Sequence, residues 1–113
     1  MKEMPHKVLI VDDERPVLLT LEALLGRRGF EVQTASTGAM GLQGARRWKP
    51  DIVLLDLGLP DVDGLKVLQS LKGEMPSLQV LILTANDSLS NAIQSIKLGA
   101  FHFISKPYAP EEL

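Results

Sequence analysis

The stretch Asp51-Ile52-Val53-Leu54-Leu55-Asp56-Leu57-Gly58-Leu59-Pro60-Asp61-Val62-Asp63-Gly64 decides the fold. Its apolar run shows no alternation, so it reads as a strand buried on both faces. Such a strand belongs to a sheet covered by helices on each side. Asp56 closes the run and therefore stands at the strand's carboxyl end, where ligands bind in open α/β sheets. A second run, Val8-Leu9-Ile10-Val11, ends the same way in Asp12-Asp13-Glu14. Two acidic strand ends point to one shared, metal-binding pocket.

Outward from these two strands, apolar runs alternate with helical patterns. Residues 7–12 form the first expected strand. Pro16 fits the first turn of a helix, where a missing N–H costs nothing. Val17, Leu18, Leu21, Leu24 and Leu25 follow the helical stripe, and Gly29 stands where a C-cap belongs. Residues 30–35 alternate apolar and polar, as an edge strand does. A second helix is expected over 37–48, stopped by Lys49-Pro50. Gly38, Gly41 and Gly44 weaken it by roughly 1 kcal/mol each against alanine. They mark a loosely held or closely packed helix rather than a phosphate loop, because no lysine and helix start follow in the right place. A third helix is expected over 64–72, ended by Gly73, and another buried strand over 79–84. Asp87 or Ser88 can cap a fourth helix with an inner stripe of Leu89, Ala92 or Ile93, and Ile96, closed by Gly99. A short fifth strand follows at 101–104, then a turn at Ser105-Lys106-Pro107. Pro110-Glu111-Glu112-Leu113 reads as only the opening turn of a last helix.

Composition narrows the function classes. The chain has 113 residues, 45% of them hydrophobic and 23% charged, enough for the core of one domain spanning 1–113. The net charge of −2 and a pI near 5.6 argue against direct nucleic-acid binding by this chain. The pairs Arg27-Arg28 and Arg46-Arg47 read as solvated helix ends. With no cysteine, disulfides, thiol catalysis and Cys-zinc sites are excluded. The first apolar run is too short for a signal peptide or a membrane span. A cytoplasmic location is the expectation.

The expected strand ends collect the chemistry. The first gives Asp12 and Asp13, the third Asp56, the fourth Thr84 and the fifth Lys106 followed by Pro107. In a parallel sheet these ends share one edge. Three clustered carboxylates repel one another, so one protonates or a cation enters. Oxygen-only ligands select a hard ion, and Mg²⁺ is the expected one. Mg²⁺ pairs with phosphate oxygens, so the pocket suits a phosphoryl group. Lys106 supplies a point charge for one phosphoryl oxygen, and Thr84 a hydrogen bond for another. Each residue also has a plain reading. Asp12 and Asp13 could cap the first helix, Asp56 could sit in a turn, Thr84 could merely end a strand, and Lys106 could be solvated. Their joint placement favours the site.

Asp12-Asp13, Asp56 with Pro60 four residues on, Gly64, Thr84-Ala85 and Lys106-Pro107 resemble the motifs of response-regulator receiver domains of two-component signalling, in order and spacing from Val8 to Leu113. The resemblance implies a flavodoxin-like, doubly wound, five-stranded parallel sheet of order 2-1-3-4-5, here with its fifth helix missing or truncated. It implies that Asp56 takes a phosphoryl group from the phosphohistidine of a sensor histidine kinase. Asp13 would then bind Mg²⁺ directly, Asp12 through water, and Gly58 through its backbone carbonyl. Lys106 would bind a phosphoryl oxygen, and the Lys106-Pro107 peptide would be cis. Thr84 would move toward it, and Phe103 would follow as the aromatic switch, by packing alone because it lacks a hydroxyl. The protein would be a signalling phosphoacceptor rather than an enzyme, controlling an output domain, an ATPase or a DNA-binding module. Residues 83–100 are similar to receivers of enhancer-binding transcription activators.

Two departures from the family pattern stand out. Gly58 has no side chain where a larger residue is common, which implies an open pocket and easier water access, with Asn86 placed to orient that water. The second is the short C-terminus. Without a full fifth helix, an apolar strip of sheet stays bare, so self-association, exchange of an element or low stability is expected. His6 and His102 lack ligand-spaced partners and read as surface residues.

Other functions fit less well. A flavodoxin-like nucleotide or flavin module would need Ser, Thr and Gly after the first strand, where Asp-Asp-Glu stands. A haloacid-dehalogenase-type phosphatase would need an aspartate at Gly58. A receiver-like protein–protein scaffold without phosphorylation would have lost an acid or the lysine, and none is lost.

Overall fold

A computed structural model describes residues 6–85, 93–94, 96–100 and 102–106, with 84–85 and 102–106 described for their backbone only. Its elements are β1 (Lys7–Val11), α1 (Arg15–Arg27), β2 (Glu31–Ala35), α2 (Gly38–Trp48), β3 (Ile52–Asp56), α3 (Gly64–Glu74), β4 (Gln79–Ala85) and β5 (His102–Lys106). The strands form one sheet of order β2-β1-β3-β4-β5, with neighbouring strands parallel throughout. This is the doubly wound order expected from the sequence.

The unbroken apolar runs are explained by two cores. Successive side chains of a strand point to opposite faces. Leu9, Val11, Val53, Leu55, Val80 and Ile82 therefore meet Ala45 of α2 and Val67, Leu68 and Leu71 of α3 on one face. Val8, Ile10, Leu54 and Leu83 meet Leu21 and Leu25 of α1 on the other. The edge strand β2 alternates less cleanly and is largely exposed, as its polar residues require.

Helix ends follow local chemistry. Pro16 lies in the first turn of α1, and Gly29, at φ 92, turns the chain out of it. α2 stops at Lys49, whose left-handed φ of 54 precedes Pro50. The glycines of α2 are a packing device. A Cβ on Gly41 would stand 2.8 Å from a methyl of Val11, so only glycine lets this helix lie so close to β1.

Several expectations shift. α3 runs through Gly73 to Glu74, because glycine is tolerated at a helical φ and the stop comes from the non-helical residue Met75 before Pro76. β4 reaches Ala85, and β5 covers 102–106 rather than 101–104. A strand's extent is set by its partner, and β5 pairs in register from Leu81↔His102 to Ala85↔Lys106. Lys106 thus belongs to the strand, not to a turn after it. Residues 93–94 and 96–97 are helical, but Ile93 and Ile96 are 49% and 41% exposed. They are not an inner stripe. Leu98 and Ala100, just beyond, pack on the core instead. Leu89 and Ala92 of that stripe lie outside the described residues, as do residues 107–113, on which the truncated helix and the expected self-association rest.

Candidate functional site

β1 and β3 are neighbours in the sheet, paired from Val8↔Ile52 to Val11↔Leu55. Their carboxyl ends therefore lie side by side. Asp12 directly follows Val11, and its N–H still donates to Ala35 of the edge strand at 3.0 Å. Asp56 is the last residue of β3, in register with Leu83. One carboxylate oxygen from each of Asp12, Asp13 and Asp56 lies within 4.8 Å of the others. Asp12 is fully buried, Asp56 is 7% exposed, and Asp13 faces solvent.

Local hydrogen bonds aim these groups. Asp12 Oδ1 accepts the N–H of Glu14 at 2.9 Å, which closes a turn two residues long and sends the chain into α1. Glu14, not either aspartate, holds the N-cap position, and it caps with no side chain. The helix-cap reading of Asp12 and Asp13 is thus set aside. Asp56 Oδ1 accepts the N–H of Gly58 at 3.1 Å. A Cβ at position 58 would sit 3.8 and 3.9 Å from the two Asp56 oxygens, so glycine leaves that side of the carboxylate open. Gly64 presses the start of α3 against the loop. A Cβ there would meet Leu57 Cα at 2.5 Å and the Asp56 carbonyl oxygen at 3.0 Å.

The donor set fits a hard divalent ion. All candidate ligand atoms are oxygens, the donor type a hard cation prefers, and those of the three carboxylates lie within 4.8 Å of one another. Exposed Asp13 opens the site to the waters such an ion keeps. Three like charges this close also repel, and a divalent cation relieves that repulsion.

Thr84 and Lys106 come to the same edge through their backbones. Thr84 pairs with Ser105, and Ala85 with Lys106, one and two rows beyond Asp56↔Leu83. Phe103 pairs with Ile82, in the row that continues through Leu55 to Val11. The side chains of Thr84, Phe103 and Lys106, and all of Asn86 and Pro107, lie outside the described residues. An open cleft of about 530 Å³ lies at the opposite edge, lined in part by Arg46, Lys49, Asp51 and Glu74. Three of these charges are engaged already. Arg46 forms a two-pronged ion pair with Glu74 at 2.7 and 2.8 Å, and Asp51 accepts the N–H of Lys7 at 2.8 Å.

One acid in the β3–α3 loop had no role in the sequence reading. Asp61 accepts the N–H groups of Gly38 and Ala39, at 2.8 and 3.0 Å, from the first turn of α2. Its partners lie more than twenty residues away, so no local pattern announces it. The one available hint was that the first turn of α2 carries no acid of its own.

Comparison with known proteins places this geometry. The family model described as the response regulator receiver domain matches residues 8–113. The probable transcriptional regulatory protein TcrX of Mycobacterium tuberculosis is 42% identical over 110 residues, which is 96% of this chain and 47% of that protein. A response regulator receiver domain protein from Clostridium thermocellum has a TM-score of 0.90 at 35% identity, covering 95% of this chain and 86% of its own. NtrX from Brucella abortus, solved in complex with ADP, has a TM-score of 0.91 at 30% identity, covering 96% of this chain and 25% of its own. The chain spans about half the length of the curated relatives it matches.

Proposed function

This chain belongs to the response regulator receiver domain family, and we propose that Asp56 is its phosphoacceptor, charged by a sensor histidine kinase. The observation that carries the reading is the meeting of Asp12, Asp13 and Asp56 at the carboxyl edge of the sheet. One Asp56 carboxylate oxygen attacks the phosphorus of a phosphohistidine. The P–N bond breaks, its electron pair leaves with the imidazole, and an acyl phosphate forms on Asp56. Such a transfer needs positioning and charge neutralisation more than covalent help from the protein. Mg²⁺ held by Asp13, Asp56 and the Gly58 carbonyl, with Asp12 acting through water, would supply that neutralisation. Lys106 holds one phosphoryl oxygen through its ammonium group, and Thr84 donates a hydrogen bond to another. The open side at Gly58 admits water, which favours self-dephosphorylation.

The phosphoryl group is read out by Thr84, with Phe103 following by packing and Pro107 as the third switch residue. The output is a further domain or partner of the same signalling system. The regulators among the relatives support transcription control. The likeness to NtrX, together with residues 83–100, supports an enhancer-binding activator with an ATPase module. No helix among the described residues is long and apolar enough to cross a membrane, which accords with a cytoplasmic site of action.

The test is phosphate uptake from acetyl phosphate with Mg²⁺. Asp56→Asn should abolish it while leaving the fold intact by circular dichroism. Labelling of the variant at the wild-type level sinks the assignment and moves the phosphate to another residue, whereas a wild type that takes no label leaves the scaffold reading.

A further inference from the structure

We propose that Asp61 is a positioning residue for the metal site: by clamping the β3–α3 loop to the first turn of α2, it fixes where Gly58 presents its carbonyl. This deepens the metal-site reading above and rests on it. Accounting for the backbone donors at the start of α2 carries the argument. The first turn of a helix leaves N–H groups without partners inside the helix. In α2, Thr37 Oγ1 accepts from Met40 at 3.1 Å, and the Thr37 carbonyl accepts from Gly41 at 3.0 Å. The remaining two donors, Gly38 and Ala39, are taken by the two oxygens of Asp61. A carboxylate at a helix N-terminus is favoured both by these donors and by the helix dipole. Accordingly, the two N–H bonds hold the Asp61 carboxyl below the usual aspartate range, Gly38 contributing most.

The clamp acts between elements rather than within one. Of the other ties of residues 57–63, one crosses to the sheet, where the Leu57 N–H donates to the Leu83 carbonyl at 3.4 Å, and the rest are short-range. Asp56 Oδ1 binds Gly58 N–H, Leu57 O accepts from Gly64 at 3.3 Å, and Asp63 caps α3 by accepting from Leu65 at 3.0 Å. Each fixes an end of the loop. Asp61 alone among them reaches a separate helix, and it does so three residues from Gly58. Packing locks the same contact, since any side chain on Gly38 would collide with Val62 and press on Val67. The loop is therefore pinned in its middle to the layer formed by α2. A metal ligand that is a backbone carbonyl depends on just such support, because it has no rotamer of its own to adjust.

The experiment compares the wild type, Asp61→Ala and Asp61→Asn by Mg²⁺ titration without phosphodonor, following the Gly58, Gly38 and Ala39 amides by NMR. Removing an outer partner of a metal ligand typically costs about 10–100-fold in affinity, so Asp61→Ala should raise the Mg²⁺ Kd about tenfold. Asp61→Asn keeps one acceptor oxygen and one of the two N–H bonds, so its Kd should fall between the two. The Gly58 amide should also move in the metal-free Asp61→Ala protein. A Kd within about twofold of wild type, with faster exchange only at Gly38 and Ala39, would reduce Asp61 to a helix cap and overturn the proposal. Should Asp61→Ala fail to fold, the same criterion applied to Asp61→Asn decides it. Because no phosphoryl group takes part, failure of Asp56 as phosphoacceptor would leave this result standing by itself.

Discussion

The same substitution at two places in α3 should have opposite effects. At Gly64 a Cβ would stand 2.5 Å from Leu57 Cα, 2.8 Å from the Leu57 carbonyl oxygen and 3.0 Å from that of Asp56. Carbon atoms in ordinary contact lie about 3.5–4.0 Å apart, so Gly64→Ala requires a displacement of about 1 Å. All three obstacles are backbone atoms and cannot swing aside. Overpacking costs about 1–3 kcal/mol, and the absence of a yielding side chain places Gly64→Ala near the upper end. At roughly 4 °C per kcal/mol for a domain near 100 residues, Tm should fall by about 8–12 °C. At Gly73, inside the same helix, a Cβ meets nothing within 4 Å. Gly73→Ala should instead gain about 0.4–1 kcal/mol by restricting the unfolded chain, and raise Tm by a few degrees. Urea and thermal unfolding of both variants give the comparison. The displaced atoms at Gly64 adjoin the acidic cluster, so Mg²⁺ affinity should also fall there and stay unchanged in Gly73→Ala. The reasoning is refuted if Gly64→Ala lies within about 0.5 kcal/mol of wild type, the scatter of ordinary surface changes, or if Gly73→Ala loses as much.

Three further outcomes are expected. Asp13→Ala should greatly weaken Mg²⁺ binding with little loss of stability, because Asp13 is exposed; an unchanged metal titration would count against its role. Asp12→Ala should cost stability as well, since it removes the acceptor of the Glu14 N–H, and equal unfolding midpoints for the two variants would contradict this. Acid unfolding has a defined sign: Gly38 and Ala39 hold Asp61 below 3.8, and Arg46 holds Glu74 below 4.5. Below those values the unfolded chain binds more protons, so the stability these groups contribute is present above the unfolded pKa and lost as pH falls through the folded one. Asp61→Asn should therefore flatten the fall in stability below pH 3.8, and an unaltered pH profile in chemical denaturation would argue against the clamp.

Much of this molecule was legible locally. Runs such as Val8–Val11 and Ile52–Leu55 announce strands buried on both faces. The stripe from Val17 to Leu25 announces α1, and the acids after two such strands announce the cluster of Asp12, Asp13 and Asp56. Other features were not legible, for identifiable reasons. Gly73 looked like a helix stop, but the backbone passed through it and ended before Pro76. Ile93 and Ile96 fit an inner stripe by spacing, yet both are exposed. β5 took its limits from hydrogen bonding to β4, not from its own apolar residues.

The kinds of element, their order and the chemical character of the sheet's carboxyl edge follow from local sequence, because periodicity and strand-end acids act over a few neighbouring residues. Tertiary structure alone decided which glycines are obligatory and what Asp61 is for. Gly41 is needed because Val11 lies against α2, and Gly64 because Leu57 lies against α3. Asp61 finds its partners 22 and 23 residues back along the chain, at Ala39 and Gly38. These contacts exist only once the layers have packed, and close approach between distant segments leaves no local pattern to read.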